Sequence, residues 1–95
     1  MCKKFCLIAE QEGEVFHDLK KGETINGARR GLYNSAEALI KKIPKKIIHD
    51  IKTRYKIITL DVNPSLLLHH GDNDSLLPNS NAVIINVESI STIIN

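Results

Sequence analysis

The chain has 95 residues, of which 42% are hydrophobic and 25% are charged, and its formal net charge at pH 7 is +2. This length predicts a single domain spanning residues 1–95, and this composition excludes disorder along the whole chain. No stretch reaches the roughly 20 apolar residues of a membrane-spanning helix, and the apolar run near the start is too short for a secretory signal. We therefore expect a cytosolic protein without membrane contact and without a cofactor.

Charge is distributed unevenly along the chain. Residues 1–56 contain all 13 Lys and Arg residues against seven acids, a balance of +6, whereas residues 57–95 contain four acids and no Lys or Arg, a balance of −4. This asymmetry predicts a cationic surface on the first part. It also predicts that residues 57–95 are buried, rich in strands, or facing a neutral or basic surface.

The predicted elements begin with two short strands. Residues 4–9 (KFCLIA) are mostly apolar, residues 14–19 (EVFHDL) alternate in character, and Gly13 between them favours a β-hairpin. Residues 20–33 follow as a glycine-rich loop that can enclose a short strand at residues 24–26.

A basic amphipathic helix is predicted next, beginning at Asn34 and kinked or broken at Pro44. Asn34 is the predicted N-cap, and Glu37 can complete a capping box with it. The apolar positions recur every three or four residues and are Ala36, Leu39, Ile40, Ile43, Ile47, Ile48 and Ile51. Because this stripe keeps its phase across the proline, either one kinked helix or two nearly collinear helices fit the pattern.

The second half of the chain predicts mainly strands. Residues 55–62 (YKIITLDV) form the clearest strand, residues 65–70 fit either a helical turn or an extended piece, and residues 71–81 are rich in turn formers. Residues 82–88 (AVIINVE) form a last good strand. Residues 89–95 (SISTIIN) either continue it past a bend or form another short strand.

These elements predict a small single domain of the α+β class. Its layout is a three- to four-stranded, mainly antiparallel sheet with one kinked or broken basic amphipathic helix packed on one face. The C-terminal strand region carries a single charge, Glu88. We therefore expect this region to be either a central strand or the edge through which a homodimer forms.

The candidate binding residues are basic. Arg29 and Arg30 are flanked by glycines in the loop before the helix, so their guanidinium groups and nearby backbone N–H groups could converge on one anion. The second basic feature is a ridge of lysines on the helix: Lys41, Lys42, Lys45 and Lys46. Such a ridge suits nucleic-acid phosphates or an acidic protein surface. The alternatives are a turn with solvated arginines and an ordinary solvated helix face.

Histidine and aspartate are concentrated in the run LHHGDND, which contains His69, His70, Asp72 and Asp74. These side chains can ligate zinc, but adjacent histidines point in different directions in regular structure. The run also lacks the glycine and glutamate that complete a calcium loop. Turn formation is the favoured explanation, with a metal site as the alternative. His17 and His49 stand alone and are interpreted as surface or partly buried histidines.

Cys2 and Cys6 are predicted to be free thiols, because cysteines four residues apart on one strand are poorly placed to bond each other. If Met1 is removed, Cys2 becomes an N-terminal nucleophile with its own α-amino group as base. A cysteine that opens a strand and hairpin resembles the start of N-terminal-nucleophile hydrolases, which implies a hydrolase activity carried by Cys2. The glycine of the amidotransferases and the Arg-Asn-x-Asp pattern of the bile-salt hydrolase type are absent. A small hydrophobic role for the cysteine is the alternative.

Residues 25–43 carry a second resemblance. A strand, Ile-Asn-Gly, polar residues, Ser and then a helix striped with Leu and Ile are similar to the beginning of barstar-type inhibitors, small α/β proteins that block a nuclease. The resemblance implies an inhibitor role. The helix those inhibitors use is acidic, whereas this helix is basic.

Two function classes follow from these observations. The first is a non-catalytic interaction protein, such as an inhibitor, immunity or accessory factor, that docks on an acidic protein partner through its basic helix face. The second is a binder of nucleic acid or of a phosphorylated small ligand through Arg29, Arg30 and the lysine ridge. An N-terminal Cys hydrolase is the remote alternative.

Overall fold

The computed structural model of the chain describes residues 2–9, 20–26, 31–51 and 55–94. Its regular elements are, in chain order, β1 (Cys2–Ala9), β2 (Thr24–Asn26), α1 (Ala36–Lys41), α2 (Ile48–Ile51), β3 (Tyr55–Val62), a 3-10 turn (Pro64–Leu66), β4 (Leu67–His70), β5 (Asn73–Leu76), β6 (Asn81–Ser89) and α3 (Ile90–Ile94). The predicted antiparallel sheet is present, as one four-stranded and one two-stranded sheet with a few short helices. The strand predicted at residues 14–19 lies outside the described residues.

β3 is an inner strand of the four-stranded sheet, whose order is β1-β3-β6-β2. It pairs antiparallel with β1 along its whole length and with β6 from Lys56 to Asp61. The four consecutive residues from Ile57 to Leu60 are all buried, because both faces of this strand are covered. The strand predicted at residues 55–62 is confirmed.

The larger hydrophobic core lies between the four-stranded sheet and the hairpin formed by β4 and β5. Alternate residues of β1 and β3 face it, as strand geometry requires. Its buried members are Cys6, Ile25, Leu32, Ile58, Leu60, Val62, Leu76, Ala82 and Ile84.

A smaller core covers part of the opposite sheet face. Leu39 of α1, Ile57 of β3 and Ile90 of α3 are its buried members, and Phe5 and Leu7 of β1 pack against it. Two short helices, α1 and α3, therefore cover one face of the sheet, where one kinked or broken basic helix was predicted.

β6 contains one extra residue opposite β3. The pairing shifts between Thr59 and Leu60, so that Ile85 has no counterpart on β3. An extra residue reverses the alternation of side chains beyond it. Ile84 and Val87, three positions apart, consequently both pack in the larger core.

The region predicted as one kinked helix or as two nearly collinear helices contains two short helices, so the single kinked helix is not present there. α1 ends at Lys41 and α2 begins at Ile48. Between them the backbone hydrogen bonds join residues three positions apart instead of four. One example runs from the Ile43 N–H to the Ile40 carbonyl oxygen, at 3.0 Å. Pro44 explains the break, since it has no N–H to donate and disfavours helical geometry in the preceding residue.

The N-cap predicted for this region, Asn34, is wrong by one residue. Ser35 has extended backbone geometry, and its hydroxyl accepts a hydrogen bond of 3.1 Å from the Ala38 N–H. The Asn34 side chain is engaged elsewhere, because its Oδ1 accepts a hydrogen bond from Lys4 Nζ. Ser35 is itself a favourable capping residue, so the helix begins one position later.

The strand predicted for residues 89–95 is also wrong, because α3 occupies residues 90–94. Burial of Ile90 in the smaller core requires the chain to turn back over the sheet. The Ser89 hydroxyl lies 2.7 Å from Thr92 Oγ1 at the start of this turn. β6 itself lies between β3 and β2, so the prediction of a central strand is confirmed.

The hairpin formed by β4 and β5 includes residues whose secondary structure could not be decided from the sequence. Residues 65–70 contain both predicted forms, first the 3-10 turn and then β4. Residues 71–81 were predicted as turn-rich but include β5, whose last three residues are buried. Gly71, with a φ of 68°, and Asp72 form the connecting turn. A positive φ at the first central residue alone is the geometry of a type II′ turn, which glycine adopts without strain.

The connecting segment, residues 31–34, ties this hairpin to the main sheet. Tyr33 exchanges two backbone hydrogen bonds of 2.8 Å with Phe5 of β1. Leu32 exchanges two, of 3.0 and 2.8 Å, with Asp74 of β5. Because α1 follows directly, this segment also sets where α1 begins.

Candidate functional site

The lysines predicted to bind a partner lie in the basic segment, which we define as residues 41–48. Lys41 is the last residue of α1, Lys42 is its C-cap, and Lys45 and Lys46 lie in the turn before α2. All four residues are exposed. Lys42 pairs with Asp72, whereas the other three lysines have no ion-pair partner among the residues that the structure describes.

Apolar residues of the basic segment are only partly covered. Ile47 keeps 40% of its surface exposed, and Ile43 and Ile48 are half-buried. The residues of the predicted apolar stripe that lie in α1 pack on the smaller core. The chain leaves helical geometry after Lys42, so the later apolar residues of the segment are less buried than those of α1. The basic segment therefore exposes an isoleucine together with its lysines.

Lys42 forms an ion pair with Asp72, the second residue of the hairpin turn. The hydrogen bond with Asp72, and then its charge, raise the pKa of Lys42 above its ordinary value. Hydrogen bonds from Lys42 and then from Asn73 lower the pKa of Asp72. Both side chains are about half exposed, at 54% and 53%, so water and salt compete with this pair.

A second ion pair, between Lys4 and Asp74, is buried where the connecting segment crosses β1 and β5. The two side chains are 8% and 9% exposed, and Lys4 Nζ lies 2.5 Å from Asp74 Oδ2. Nδ1 of His69, whose side chain is 78% exposed, lies 2.6 Å from the other carboxylate oxygen, and Lys4 also donates to the exposed Asn34. We call the buried pair, together with these two exposed partners, the buried network.

Both carboxylate oxygens of Asp74 in the buried network have a hydrogen-bond partner. Burial raises the pKa of Asp74, but the hydrogen bonds and charges of Lys4 and His69 outweigh this effect, so the pKa lies below its ordinary value. A carboxylate can only accept hydrogen bonds, so Nδ1 of His69 carries the proton. With both Asp74 oxygens occupied, the network fixes the hairpin against β1, which is a structural role.

Sequence reasoning missed the role of Lys4, although a signal was present. In β1, Cys2, Lys4, Cys6 and Ile8 alternate with residues of the other face, and the three apolar members of this set pack in the larger core. A lysine at an inward position of an apolar strand predicts a buried carboxylate partner. Only four acids follow residue 56, and Asp74 is one of them.

The two adjacent histidines lie on opposite sides of the hairpin. His69 is opposite Asp74, while His70 Nε2 lies 2.7 Å from Ser75 Oγ on the other side. Within the described parts of the chain, no three His, Cys, Asp or Glu side chains come together as metal ligands would. The explanation of LHHGDND as a turn is supported by the hairpin, and His49 lies exposed on α2.

The remaining candidate residues are the two arginines, His17 and Cys2. Arg29, Arg30 and His17 lie outside the described residues, so their predicted roles stay predictions. Cys2 is half-buried on the larger core, and its Sγ donates a hydrogen bond of 3.4 Å to the Val62 carbonyl. This arrangement is that of a small core residue.

Comparison with known proteins finds no matching family model, no matching characterised protein and no matching solved structure. None of the helices in the described parts is long and apolar enough to cross a membrane. The functional conclusion therefore depends on the geometry of the surface itself.

Proposed function

We propose that this protein is a small non-catalytic interaction protein, an inhibitor, immunity or accessory factor, that docks on an acidic protein partner through the basic segment. One observation supports the proposal above the others. Lys41, Lys45, Lys46 and Ile47 are all exposed within one eight-residue segment, and none of these lysines is matched by a carboxylate of the described residues.

Unmatched lysines and an accessible apolar side chain complement each other in binding. Positive charge steers an acidic partner toward the surface and increases the association rate, particularly at low salt. Ile47 then offers apolar area that becomes buried on contact, which slows dissociation. A short segment held by α1 and the hairpin loses little conformational entropy when it docks.

Binding of nucleic acid or a phosphorylated ligand through Arg29, Arg30 and the same lysines is the competing proposal. A phosphate track uses closely spaced cations and gains little from an isoleucine among them. In the basic segment Lys42 is already neutralised by Asp72. These two features favour a protein partner with both acidic and apolar side chains.

The docking proposal is tested by comparing two triple variants with the same change in charge. The first carries Lys41→Gln, Lys45→Gln and Lys46→Gln, and we expect it to bind the captured acidic partner about ten-fold more weakly. The matched control carries Lys3→Gln, Lys20→Gln and Lys21→Gln at three exposed positions outside the segment. Purified partner, identified by affinity capture with the parent chain, is titrated against all three proteins.

Equal binding by both triple variants would remove the basic segment from the interface. A separate filter-binding titration addresses nucleic acid. If the competing proposal holds, the logarithm of the binding constant falls with the logarithm of salt concentration, with a slope of about −0.9 per contacted phosphate of duplex. A flat response, or no binding at low salt, removes nucleic acid from consideration.

A further inference from the structure

The ion pair between Lys42 and Asp72 connects the basic segment to the tip of the hairpin. Asp72 is the second residue of the tight turn, and Lys42 caps α1. The hairpin beneath the turn is fixed, since Leu76 is buried in the larger core and Asp74 belongs to the buried network. Because Leu76 and Asp74 anchor the hairpin, Asp72 in its turn is held beside the basic segment.

We propose that Asp72 is an intramolecular competitor for Lys42, so that an acidic partner reaches the full basic segment only by displacing this carboxylate. The inference rests on the proposed docking function and names its regulation. Lys42 is the one lysine of the segment that has a carboxylate partner among the described residues, and that partner comes from a different element.

The chemistry of the pair suits exchange. A partner's Asp or Glu would offer Lys42 the same oxygen acceptor that Asp72 offers, so the charge of the lysine stays neutralised throughout. Both side chains are about half exposed, so the exchange needs no opening of the core. Removal of the Asp72 charge should also reduce its repulsion of the approaching acidic surface.

The test uses Asp72→Asn, which keeps the shape of the turn residue and removes its charge. The probe is a short fluorescein-labelled peptide of Glu and Leu residues, titrated by fluorescence anisotropy at low salt. We expect about two- to five-fold tighter binding than to the parent, the range that loss of one exposed competing ion pair implies. The matched control is Glu23→Gln, which removes the same charge beside β2, at the sheet edge opposite β1.

A second measurement reports on Lys42 without any partner. Trace acetylation followed by fragment mass spectrometry gives the relative reactivity of each lysine amine. In the parent, Lys42 should react more slowly than Lys41 and Lys45, because its ammonium form is stabilised by Asp72. In Asp72→Asn the rate at Lys42 should rise to that of its neighbours, while Glu23→Gln leaves it unchanged.

The outcomes separate this inference from the docking proposal. Docking stands if the peptide binds the parent and its binding is lost in the Lys41, Lys45 and Lys46 triple variant. Competition is overturned if, in the same experiment, the peptide binds Asp72→Asn no more tightly than Glu23→Gln. Unchanged reactivity of Lys42 in Asp72→Asn likewise overturns competition. If the peptide binds none of these proteins, docking on this surface fails and competition fails with it.

Discussion

Among the residues that the structure describes, two ion pairs between lysine and aspartate join the hairpin to the rest of the protein, and they lie in opposite surroundings. The side chains of Lys4 and Asp74 are 8% and 9% exposed, whereas those of Lys42 and Asp72 are 54% and 53% exposed. Asp74 is bonded through both oxygens to Lys4 and His69. The two pairs contain the same residue types and differ mainly in access to water.

This difference determines what each pair can do. In the buried pair, loss of one partner leaves a charge without water or a counter-ion, so the pair is difficult to break. In the exposed pair, water and salt replace either partner at little cost. The hairpin is consequently fixed close to its turn by Lys4 and Asp74, while Lys42 and Asp72 at the turn itself can exchange partners.

The largest effect is expected for Lys4→Ala. This change leaves Asp74 buried with only His69 as a partner, and we expect the free energy of unfolding to fall by about 3 kcal/mol. Urea unfolding followed by circular dichroism measures it. The control is Lys3→Ala on the same strand, which is exposed and should change the free energy by less than about 0.5 kcal/mol.

A double variant distinguishes charge from packing at this position. Lys4→Met combined with Asp74→Leu removes both charges and keeps apolar volume, so it should recover most of the stability lost in Lys4→Ala. Should Lys4→Ala be as stable as Lys3→Ala, the pair does not fix the hairpin, and the contrast between the two ion pairs disappears.

A smaller effect is expected from pH. The folded-state pKa of Asp74 lies below its ordinary value of 3.8, so its charged form is favoured by folding. Its contribution to stability is therefore fully present above the unfolded-state pKa and is lost as the pH falls through the lower folded-state value. Asp74→Asn should be less stable than the parent at neutral pH, and the difference should narrow at pH values below 3.8.

The comparator for this prediction is Asp72→Asn. Its carboxylate also has a lowered pKa, but it is solvated in the folded protein. Urea unfolding of the parent, Asp74→Asn and Asp72→Asn at several pH values tests this prediction. A constant difference between Asp74→Asn and the parent across this range would contradict the assignment of a charged, networked Asp74.

Much of the sheet could be predicted from local pattern. Residues 55–62 are rich in β-branched and aromatic residues and end before Asn63-Pro64, and the structure places a strand over these residues. The strand at residues 24–26 is likewise present. Residues 90–94 were misread, because isoleucines suit strands by propensity, and only the burial of Ile90 against another element makes them helical.

The site was harder to predict because it depends on contacts between distant residues. Exposure of Lys41, Lys45 and Lys46 follows from an amphipathic pattern, but exposure of Ile47 does not, since the pattern placed it on the buried face. The uneven charge was interpreted as a surface for an outside partner. In the structure, two of the four acids after residue 56, Asp72 and Asp74, neutralise lysines of the first part.

The smallest effect is expected for Asp72→Asn on stability. Because water and salt compete with the exposed pair, its loss should lower the midpoint of urea unfolding only slightly at low salt and should leave it unchanged at high salt. Asp74→Asn, two residues along the same hairpin, should lower the midpoint at both salt concentrations, since a buried pair is screened much less by salt. If Asp72→Asn instead destabilised the protein at low salt as much as Asp74→Asn does, the tip would be a fixed structural contact. An acidic partner would then have to unfold part of the hairpin to reach Lys42, and competition at that lysine would no longer be an exchange at the surface.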